Sequence, residues 1–161
     1  MSANSGTKKE FPYSAADFEA VRSKLKKLSG INLADSKDSM VYSRLARRIR
    51  ALGLSSFTQY LSYLDKHHDE QEEFLNALTT NLTSFYRESH HFVALEAHLR
   101  KNPKPTTIWC AASSTGEEPY SIAMSAVNAF GRFNCPVNII ASDIDSKVLQ
   151  TASAGVYRVD Q

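Results

Sequence analysis

The sequence predicts an α+α/β protein, in which a small helical bundle precedes the first part of a doubly wound, parallel-sheet domain. Two observations lead to this class. In the first half of the 161 residues, apolar side chains recur at helical spacing between capping signals. From Thr106 onward, the order changes to an apolar strand, a small-residue turn, a helix and a second strand. The hydrophobic share of 42% and the charged share of 22% are ordinary for a globular chain.

Four helices are predicted in the first half, each from a start signal followed by an apolar stripe. The first begins at a capping-box-like pattern, residues 14–17, and ends at Gly30. The second opens at Asp38 or Ser39 and ends at Gly53. A third starts at Ser55 or Ser56, and a fourth covers about residues 69–78. The apolar residues expected to face inward are Phe18, Val21, Leu25, Leu28, Val41, Leu45, Ile49, Leu52, Phe57, Tyr60, Leu61 and Leu64.

These patterns divide the chain into four regions. Residues 1–12 are polar and expected to be disordered, and residues 13–78 form the all-helical domain. Residues 79–105 form a linker with a loop and a helix that extends from His90 to about Arg100. Residues 106–161 form an incomplete βαβα segment.

The βαβα segment has the layout of a nucleotide-binding unit. A strand over residues 106–112 leads through a small-residue turn into a helix over 119–130, and a strand over 137–141 is followed by Asp143. In such units, an acid at the tip of the second strand accepts hydrogen bonds from the ribose hydroxyls. The turn has a single glycine, Gly116, where a turn that wraps a pyrophosphate has three. It therefore suits a nucleoside ligand without phosphate, of which S-adenosylmethionine is the commonest.

Composition disfavours several other classes of protein. The N-terminal residues have no apolar signal-peptide core, and no apolar run is long enough to span a bilayer, so no membrane insertion is expected. Cys110 and Cys135 are isolated, which predicts free thiols in a reducing cytoplasm. The adjacent histidine pairs cannot chelate one ion together, and no Cys/His ligand pattern occurs, so no metal site is predicted.

Charge is distributed unevenly along the chain. Residues 1–66 contain twelve Lys and Arg against six Asp and Glu, whereas residues 67–161 contain seven against eleven. In the second helix, a basic group lies opposite the apolar face and consists of Arg44, Arg47, Arg48 and Arg50. Such a group is commonly a solvated surface, and its functional alternatives are a dock for an acidic protein surface or for phosphates. Since no aromatic residues are interleaved for base stacking, nucleic acid is the weaker alternative.

Three motifs follow one another in the second half of the chain. They are TTNLTSFYRESHHF at residues 79–92, ASSTGEEPYSIA at residues 112–123 and ASDID at residues 141–145. Together they resemble the CheR family of chemotaxis receptor methyltransferases, which use S-adenosylmethionine to methylate receptor glutamates. Residues 41–54 are also similar to the family's basic N-terminal helix. The resemblance covers nearly everything from about Phe18 onward.

The resemblance implies a Rossmann-like methyltransferase domain with a truncated sheet, and it assigns roles to a loop before the first strand. Arg87 resembles the family arginine near the methionyl end of the cofactor, where a guanidinium can pair with a carboxylate of the cofactor or of the substrate. It is both the catalytic and a cofactor-binding candidate. Asn81 and Thr83 match polar, cofactor-binding residues of the same loop.

Two acids of the βαβα segment are expected to hold the other end of the cofactor. Glu118 would meet the ammonium group, with Glu117 as the less favoured alternative, and Asp143 would meet the ribose. Asp145 is expected to cap the helix over residues 147–154.

The implied reaction requires no general base. A glutamate side chain has a reference pKa of about 4.3, so it is already an anionic nucleophile at neutral pH. The protein then acts mainly by aligning this carboxylate with the C–S bond and excluding water. In this interpretation, the partners are the cytoplasmic helices of the receptors, and the four arginines of the second helix recognise their acidic surface.

The resemblance stops short of the whole family pattern. Only two strands of the sheet are present, and the later strands and the Asn- and Arg-Asn-containing motifs are missing. We therefore expect a fragment without measurable methyltransferase activity of its own. Its open edge, strand 106–112, would pair with another copy or with another chain. The alternative is a non-catalytic module that docks a receptor or a regulatory partner through the basic helix.

Overall fold

The computed structural model describes residues 9–160, which form two compact units that divide between Thr79 and Thr80. Most of the segment for which the sequence predicts disorder, residues 1–12, lies outside the described residues. The helical bundle followed by a parallel βαβα segment agrees with the predicted fold class. No helix among residues 9–160 combines the length and the apolar character needed to cross a membrane.

Within residues 9–79, the first unit consists of four α-helices, with a short 3₁₀ turn over Asp35–Lys37. They are α1 (Ala15–Ser29), α2 (Asp38–Ala51), α3 (Phe57–Leu64) and α4 (His68–Leu78). The predicted start of α1 is confirmed, since the backbone N–H of Asp17 donates to the Ser14 hydroxyl and the Asp17 carboxylate accepts from the Ser14 N–H. Of the two starts proposed for α3, the structure uses Ser56 as the N-cap.

The core of the first unit lies between these helices. Val21, Val41, Phe57 and Tyr60 are fully buried, as the apolar stripes predict, while Leu28, Leu52 and Leu61 are only partly buried. The ring of Phe57 also packs against an aromatic residue that precedes α1, with 4.6 Å between its centroid and that of Tyr13. The unit therefore buries large side chains from each of its helices.

In its described part, residues 80–160, the second unit contains three helices and a two-stranded parallel sheet. Its elements are α5 (His90–Lys101), β1 (Thr106–Ala111), α6 (Glu117–Phe130), β2 (Val137–Ser142) and α7 (Ser146–Ala154). Thr106 is opposite Val137 and Ala111 is opposite Ser142. The prediction that α6 begins at Pro119 is wrong, because Gly116 is its N-cap. A proline in the first helical turn loses no hydrogen bond, so it does not mark the first residue.

One face of the sheet is covered and the other is open. The covered face carries Cys110, which packs with Phe92 of α5 and Ile122 of α6. On the opposite face, Trp109 is 69% exposed and Ile140 is 51% exposed. Within the described part of the chain, β1 pairs with β2 alone. Helices α5 and α6 therefore pack against one face of the sheet, and the other face is left uncovered.

Candidate functional site

The turn between β1 and α6 is fixed by one backbone hydrogen bond to the end of β2 and one within the turn. The N–H of Ser113 donates to the Ser142 carbonyl at 2.9 Å, and the N–H of Gly116 donates to the Ser113 carbonyl at 3.0 Å. Positive φ angles occur at Ala112, Ser114 and Gly116, of 61°, 49° and 102°. Left-handed conformations are costly for residues with a Cβ, so these bonds stabilise a shape that glycines supply in other nucleotide-binding turns.

Asp143 joins the tips of the two strands. Its Oδ2 accepts from the N–H of Ser114 at 2.8 Å, and its Oδ1 accepts from the N–H of Asp145 at 2.9 Å. A carboxylate has about four lone-pair sites, so the half-buried side chain can still accept from ligand hydroxyls. The predicted ribose acceptor is therefore also a structural residue of the turn.

The two adjacent glutamates of α6 occupy different environments. Glu117 is 3% exposed and accepts a hydrogen bond from the Thr115 hydroxyl at 2.6 Å, whereas Glu118 is exposed. Burial raises the pKa of Cys110 to about 11, and the negative charges of Glu118 and Asp143 contribute to that rise. Asp143 is bonded to Ser114 in the turn that follows β1, and Glu118 lies in the first turn of α6, so both carboxylates lie near the end of β1.

The loop before α5 is attached to the same turn. The backbone carbonyl of Asn81 accepts from the Ser114 hydroxyl at 3.0 Å, and its side-chain amide donates to Asp145 at 2.7 Å. Asp145 is buried and caps α7, as predicted, by accepting from the N–H of Lys147. The amide of Asn81 thus fixes a helix cap, and Thr83 is half-buried in the same loop.

Arg87 lies exposed between two residues with positive φ, Tyr86 at 53° and Glu88 at 56°. Its Nη1 donates to the Leu82 carbonyl at 2.9 Å, which leaves other N–H donors of the guanidinium for a carboxylate. The N–H of Tyr86 donates to the Ser121 hydroxyl of α6 at 3.0 Å. The loop that carries Arg87 is therefore held to the turn at Asn81 and to α6 at Tyr86.

These residues fit a zwitterionic nucleoside such as S-adenosylmethionine. One cation, Arg87, and two acids, Glu118 and Asp143, match its carboxylate, ammonium and ribose groups. Ser113 provides a direct sign of an unfilled polar requirement, because its Oγ is buried and has no hydrogen-bond partner among residues 9–160. In the same range, no group of three or more His, Cys, Asp or Glu side chains could hold a metal ion.

Sequence reasoning missed three residues that support this site. Ser114 and Ser121 hold the loop through their hydroxyls, and the Tyr157 hydroxyl donates to the Thr115 carbonyl at 2.7 Å. The serines lie inside the recognised motif and could have been considered. Tyr157 lies 42 residues from Thr115, and no spacing rule connects the two positions.

The arginines of the predicted basic face of α2 differ in their contacts. Arg44 donates to the carbonyl oxygens of Ala77, at 3.1 Å, and of Thr79, which belong to the C-terminal end of α4. Arg50 forms an ion pair with Glu10. Arg47 is exposed and makes no hydrogen bond or ion pair within the described residues.

Arg48 belongs to a polar cluster between α2, α3 and α4. Its Nε and Nη2 donate to the two oxygens of buried Glu70, at 3.0 and 2.6 Å, and Nη1 lies 3.1 Å from Glu73. The Tyr60 hydroxyl also donates to Glu70, at 2.8 Å. The hydrogen bonds to Glu70 raise the pKa of Arg48, and burial, followed by Glu70, raises the pKa of Tyr60. Arg48 thus links α2 to α4 within the bundle.

The fold and the site define a class: an all-helical unit followed by a nucleoside-binding α/β segment. Residues 16–79 match the model of the CheR methyltransferase all-alpha domain, and residues 81–161 match that of the CheR methyltransferase SAM binding domain. The chain belongs to the CheR methyltransferase family. S-adenosylmethionine is the cofactor of the family domain that residues 81–161 match.

Three relatives named as chemotaxis methyltransferases are similar over nearly the whole chain. Chemotaxis protein methyltransferase 2 of Pseudomonas aeruginosa is 53% identical over 155 residues, which are 94% of this chain and 55% of the relative. The chemotaxis protein methyltransferases of Salmonella typhimurium and Escherichia coli are 47% and 46% identical, each over 92% of this chain and 52% of the relative. The chain therefore spans about half the length of these relatives.

Proposed function

We propose that this chain is part of a cytoplasmic, S-adenosylmethionine-dependent protein-glutamate O-methyltransferase that acts on the cytoplasmic helices of chemotaxis receptors. In this proposal, residues 13–78 recognise the receptor, residues 79–105 contribute a cofactor-contacting loop, and residues 106–161 contribute the cofactor-binding turn and acids. The observation that carries it is the arrangement at the end of β1. Glu118 and Asp143 lie near that strand end, and hydrogen bonds tie the Arg87 loop to the adjacent turn.

Each residue of this arrangement has a separate task in binding. Glu118 neutralises the cofactor's ammonium group, and Asp143 accepts from the ribose hydroxyls while it holds Ser114. Asn81 and Thr83 supply polar groups of the loop, and Arg87 pairs with a carboxylate through the N–H donors that Leu82 does not use. Contacts at both ends of the nucleoside would fix its orientation.

The methyl transfer then depends on alignment. When bound, the cofactor supplies an electrophilic methyl group on its sulfonium. The receptor glutamate, with a reference pKa of about 4.3, arrives as a carboxylate, so no residue of this chain needs to remove a proton. The task of Arg87 is to orient a carboxylate near the reacting centre, and the hydrogen bonds at Asn81 and Tyr86 fix the loop from which it acts.

The acidic surface of a receptor helix is the proposed ligand of α2. Arg47 is exposed and has no partner in the described part of the chain, which makes it the strongest candidate for direct contact. Arg50 is exposed but paired with Glu10, so it would have to exchange that partner. Arg44 and Arg48 would add positive charge while remaining bound to α4.

The test is calorimetric titration of this chain with S-adenosylhomocysteine, the product of the reaction. Wild type should bind, and Asp143→Ala should lose binding. Asp143 also holds the turn, so its loss can disturb the fold as well as the site. Glu118→Gln is the sharper variant, because Glu118 is exposed and its substitution should weaken binding without changing the fold. Asp160→Ala is the control, because this acid is exposed and pairs with Arg158. Equal affinity of the Glu118→Gln variant and wild type would contradict the assignment of the ammonium contact.

The basic helix supports a second candidate, a module that docks a receptor or regulatory partner without catalysis. The same titration separates the two candidates. Binding of an acidic receptor helix without any affinity for S-adenosylhomocysteine would favour the docking module. Affinity for both ligands would favour the methyltransferase.

The open edge of β1 supports self-association of this chain. The strand has one partner in residues 9–160, and Trp109 beside that edge is largely exposed. Sedimentation equilibrium should therefore show a species heavier than the monomer. A Thr107→Pro variant removes a backbone donor from the exposed strand and should shift the equilibrium toward monomer. A wild-type chain that is monomeric at all concentrations would contradict this proposal.

A further inference from the structure

Tyr157 contacts three segments of the second unit. It follows Gly155, which ends α7, and its hydroxyl donates to the Thr115 carbonyl of the turn at 2.7 Å. Its ring meets Phe85 of the Arg87 loop edge to face, with 4.9 Å between centroids. A second edge-to-face contact, at 5.6 Å, joins it to Tyr120 of α6. One side chain thus connects the turn, the loop and the helix that form the candidate site.

The Thr115 carbonyl lies outside the hydrogen-bond ladder of α6. The first bond of that ladder joins the N–H of Tyr120 to the carbonyl of the N-cap, Gly116, at 3.1 Å. Because Thr115 precedes the N-cap, its carbonyl needs a partner from another segment, and the Tyr157 hydroxyl is that partner. The Thr115 side chain donates to Glu117 at 2.6 Å.

Gly116 leaves room for the Tyr157 hydroxyl beside the turn. A Cβ at this position would lie closer than 3.0 Å to the Tyr157 hydroxyl and 2.9 Å from the Cβ of Ala152. The backbone φ of 102° also favours glycine. The hydroxyl therefore rests against the turn in space that exists only because residue 116 has no side chain.

Tyr157 remains a hydrogen-bond donor throughout the physiological pH range. Burial raises its pKa above the ordinary value, and the charge of Glu117 and the neighbouring Tyr120 act in the same direction. The hydroxyl is therefore protonated under the conditions in which the turn must hold its shape.

We propose that Tyr157 is a positioning residue of the cofactor site. Its hydroxyl holds the Thr115–Gly116 turn, and its ring holds the loop that carries Arg87, in the geometry that binds the nucleoside. The inference rests on the proposed function for its ligand. It adds a residue outside the three family-like motifs.

The experiment compares two tyrosine variants of this chain that each lose one hydroxyl. Tyr157→Phe keeps the ring contacts but removes the bond to Thr115. Tyr120→Phe is the matched control, because its hydroxyl donates to the Ala152 carbonyl at 3.1 Å and not to the turn. We expect Tyr157→Phe to bind S-adenosylhomocysteine roughly tenfold more weakly, which corresponds to about 1.4 kcal/mol, and Tyr120→Phe to bind as wild type does.

A second measurement is hydrogen exchange of the backbone amides of Ser114 and Gly116. It should accelerate in Tyr157→Phe and remain unchanged in Tyr120→Phe, because only the first variant releases the turn. If the wild-type chain fails to bind S-adenosylhomocysteine, the cofactor assignment for this chain is wrong, and the exchange comparison still decides the positioning role. Equal exchange in the two variants would overturn the proposal.

Discussion

The two units stabilise themselves in different ways. The first unit buries aromatic and aliphatic side chains from four helices, including Phe57, Tyr60 and Phe74, which are fully inaccessible. The second has a small apolar cluster around Cys110 and leaves large side chains such as Trp109 exposed. Its candidate site is held mainly by hydrogen bonds among a turn, a loop and two strand ends. Core packing should therefore dominate the stability of the first unit, whereas backbone geometry should dominate the site in the second.

The largest expected effect is a loss of core packing in the first unit. Phe57→Ala removes a fully buried ring that packs against Tyr13 and Tyr42, so it should destabilise the unit by about 3 to 5 kcal/mol. Phe133→Ala is the matched change in the second unit, where the ring is 92% exposed, and it should cost less than about 0.5 kcal/mol. Urea denaturation followed by circular dichroism measures both. Similar losses in the two variants would contradict the role of Phe57 in the core of the first unit.

The next largest effect concerns the turn of the second unit. Gly116→Ala introduces a Cβ that meets Tyr157 and Ala152 at a φ of 102°, so it should cost about 2 to 4 kcal/mol and abolish binding of S-adenosylhomocysteine. Gly131→Ala is the control, because residue 131 has a φ of 65° but open space around its Cα, and it should cost only about 1 kcal/mol. Denaturation and calorimetry should therefore separate these two glycines. A Gly116→Ala variant that binds normally would show that the turn is adaptable.

A smaller effect is expected from the pH dependence of the second unit. The pKa of Cys110 is raised from 9.0 to about 11 in the folded chain, so the folded state retains the thiol proton longer than the unfolded state does. This contribution to stability is complete below about pH 9 and is lost as the pH rises toward 11. The midpoint of denaturation should fall less steeply over that range in Cys110→Ala than in wild type.

Much of the fold could be predicted from the sequence, because its signals are local. Apolar spacing and capping residues such as Ser14 and Asp145 identify the helices, and the change at Thr106 identifies the α/β segment. The prediction failed at Pro119, where a residue that resembles a helix start lies inside the first turn. Local patterns thus identify the elements better than they identify their first residues.

The site was less accessible to sequence reasoning than the fold. Asp143 follows the end of β2, and Glu118 lies within the motif at residues 112–123, so their place near the site could be predicted. The partner of Tyr157 depends on how α7 packs beside α6, which no spacing in the sequence reveals. Similarly, helical spacing places Arg44 and Arg48 on one face, but it does not show that α4 presents carbonyl oxygens and Glu70 to them.

The smallest effect on stability is expected at Arg47. Its comparison with Arg44 tests whether the arginines of the basic face have different roles. Arg47 is exposed and unpaired within residues 9–160, so Arg47→Ala should change the free energy of unfolding by less than about 0.5 kcal/mol. Arg44→Ala removes hydrogen bonds to the end of α4 and should cost about 1 to 2 kcal/mol. If the face recognises receptors, Arg47→Ala should still weaken binding to an acidic helical peptide from a receptor methylation region. Because the stability of this variant is unchanged, the loss of affinity would be a direct contact effect. A variant that binds the peptide as wild type does would instead leave Arg47 as a solvated surface residue.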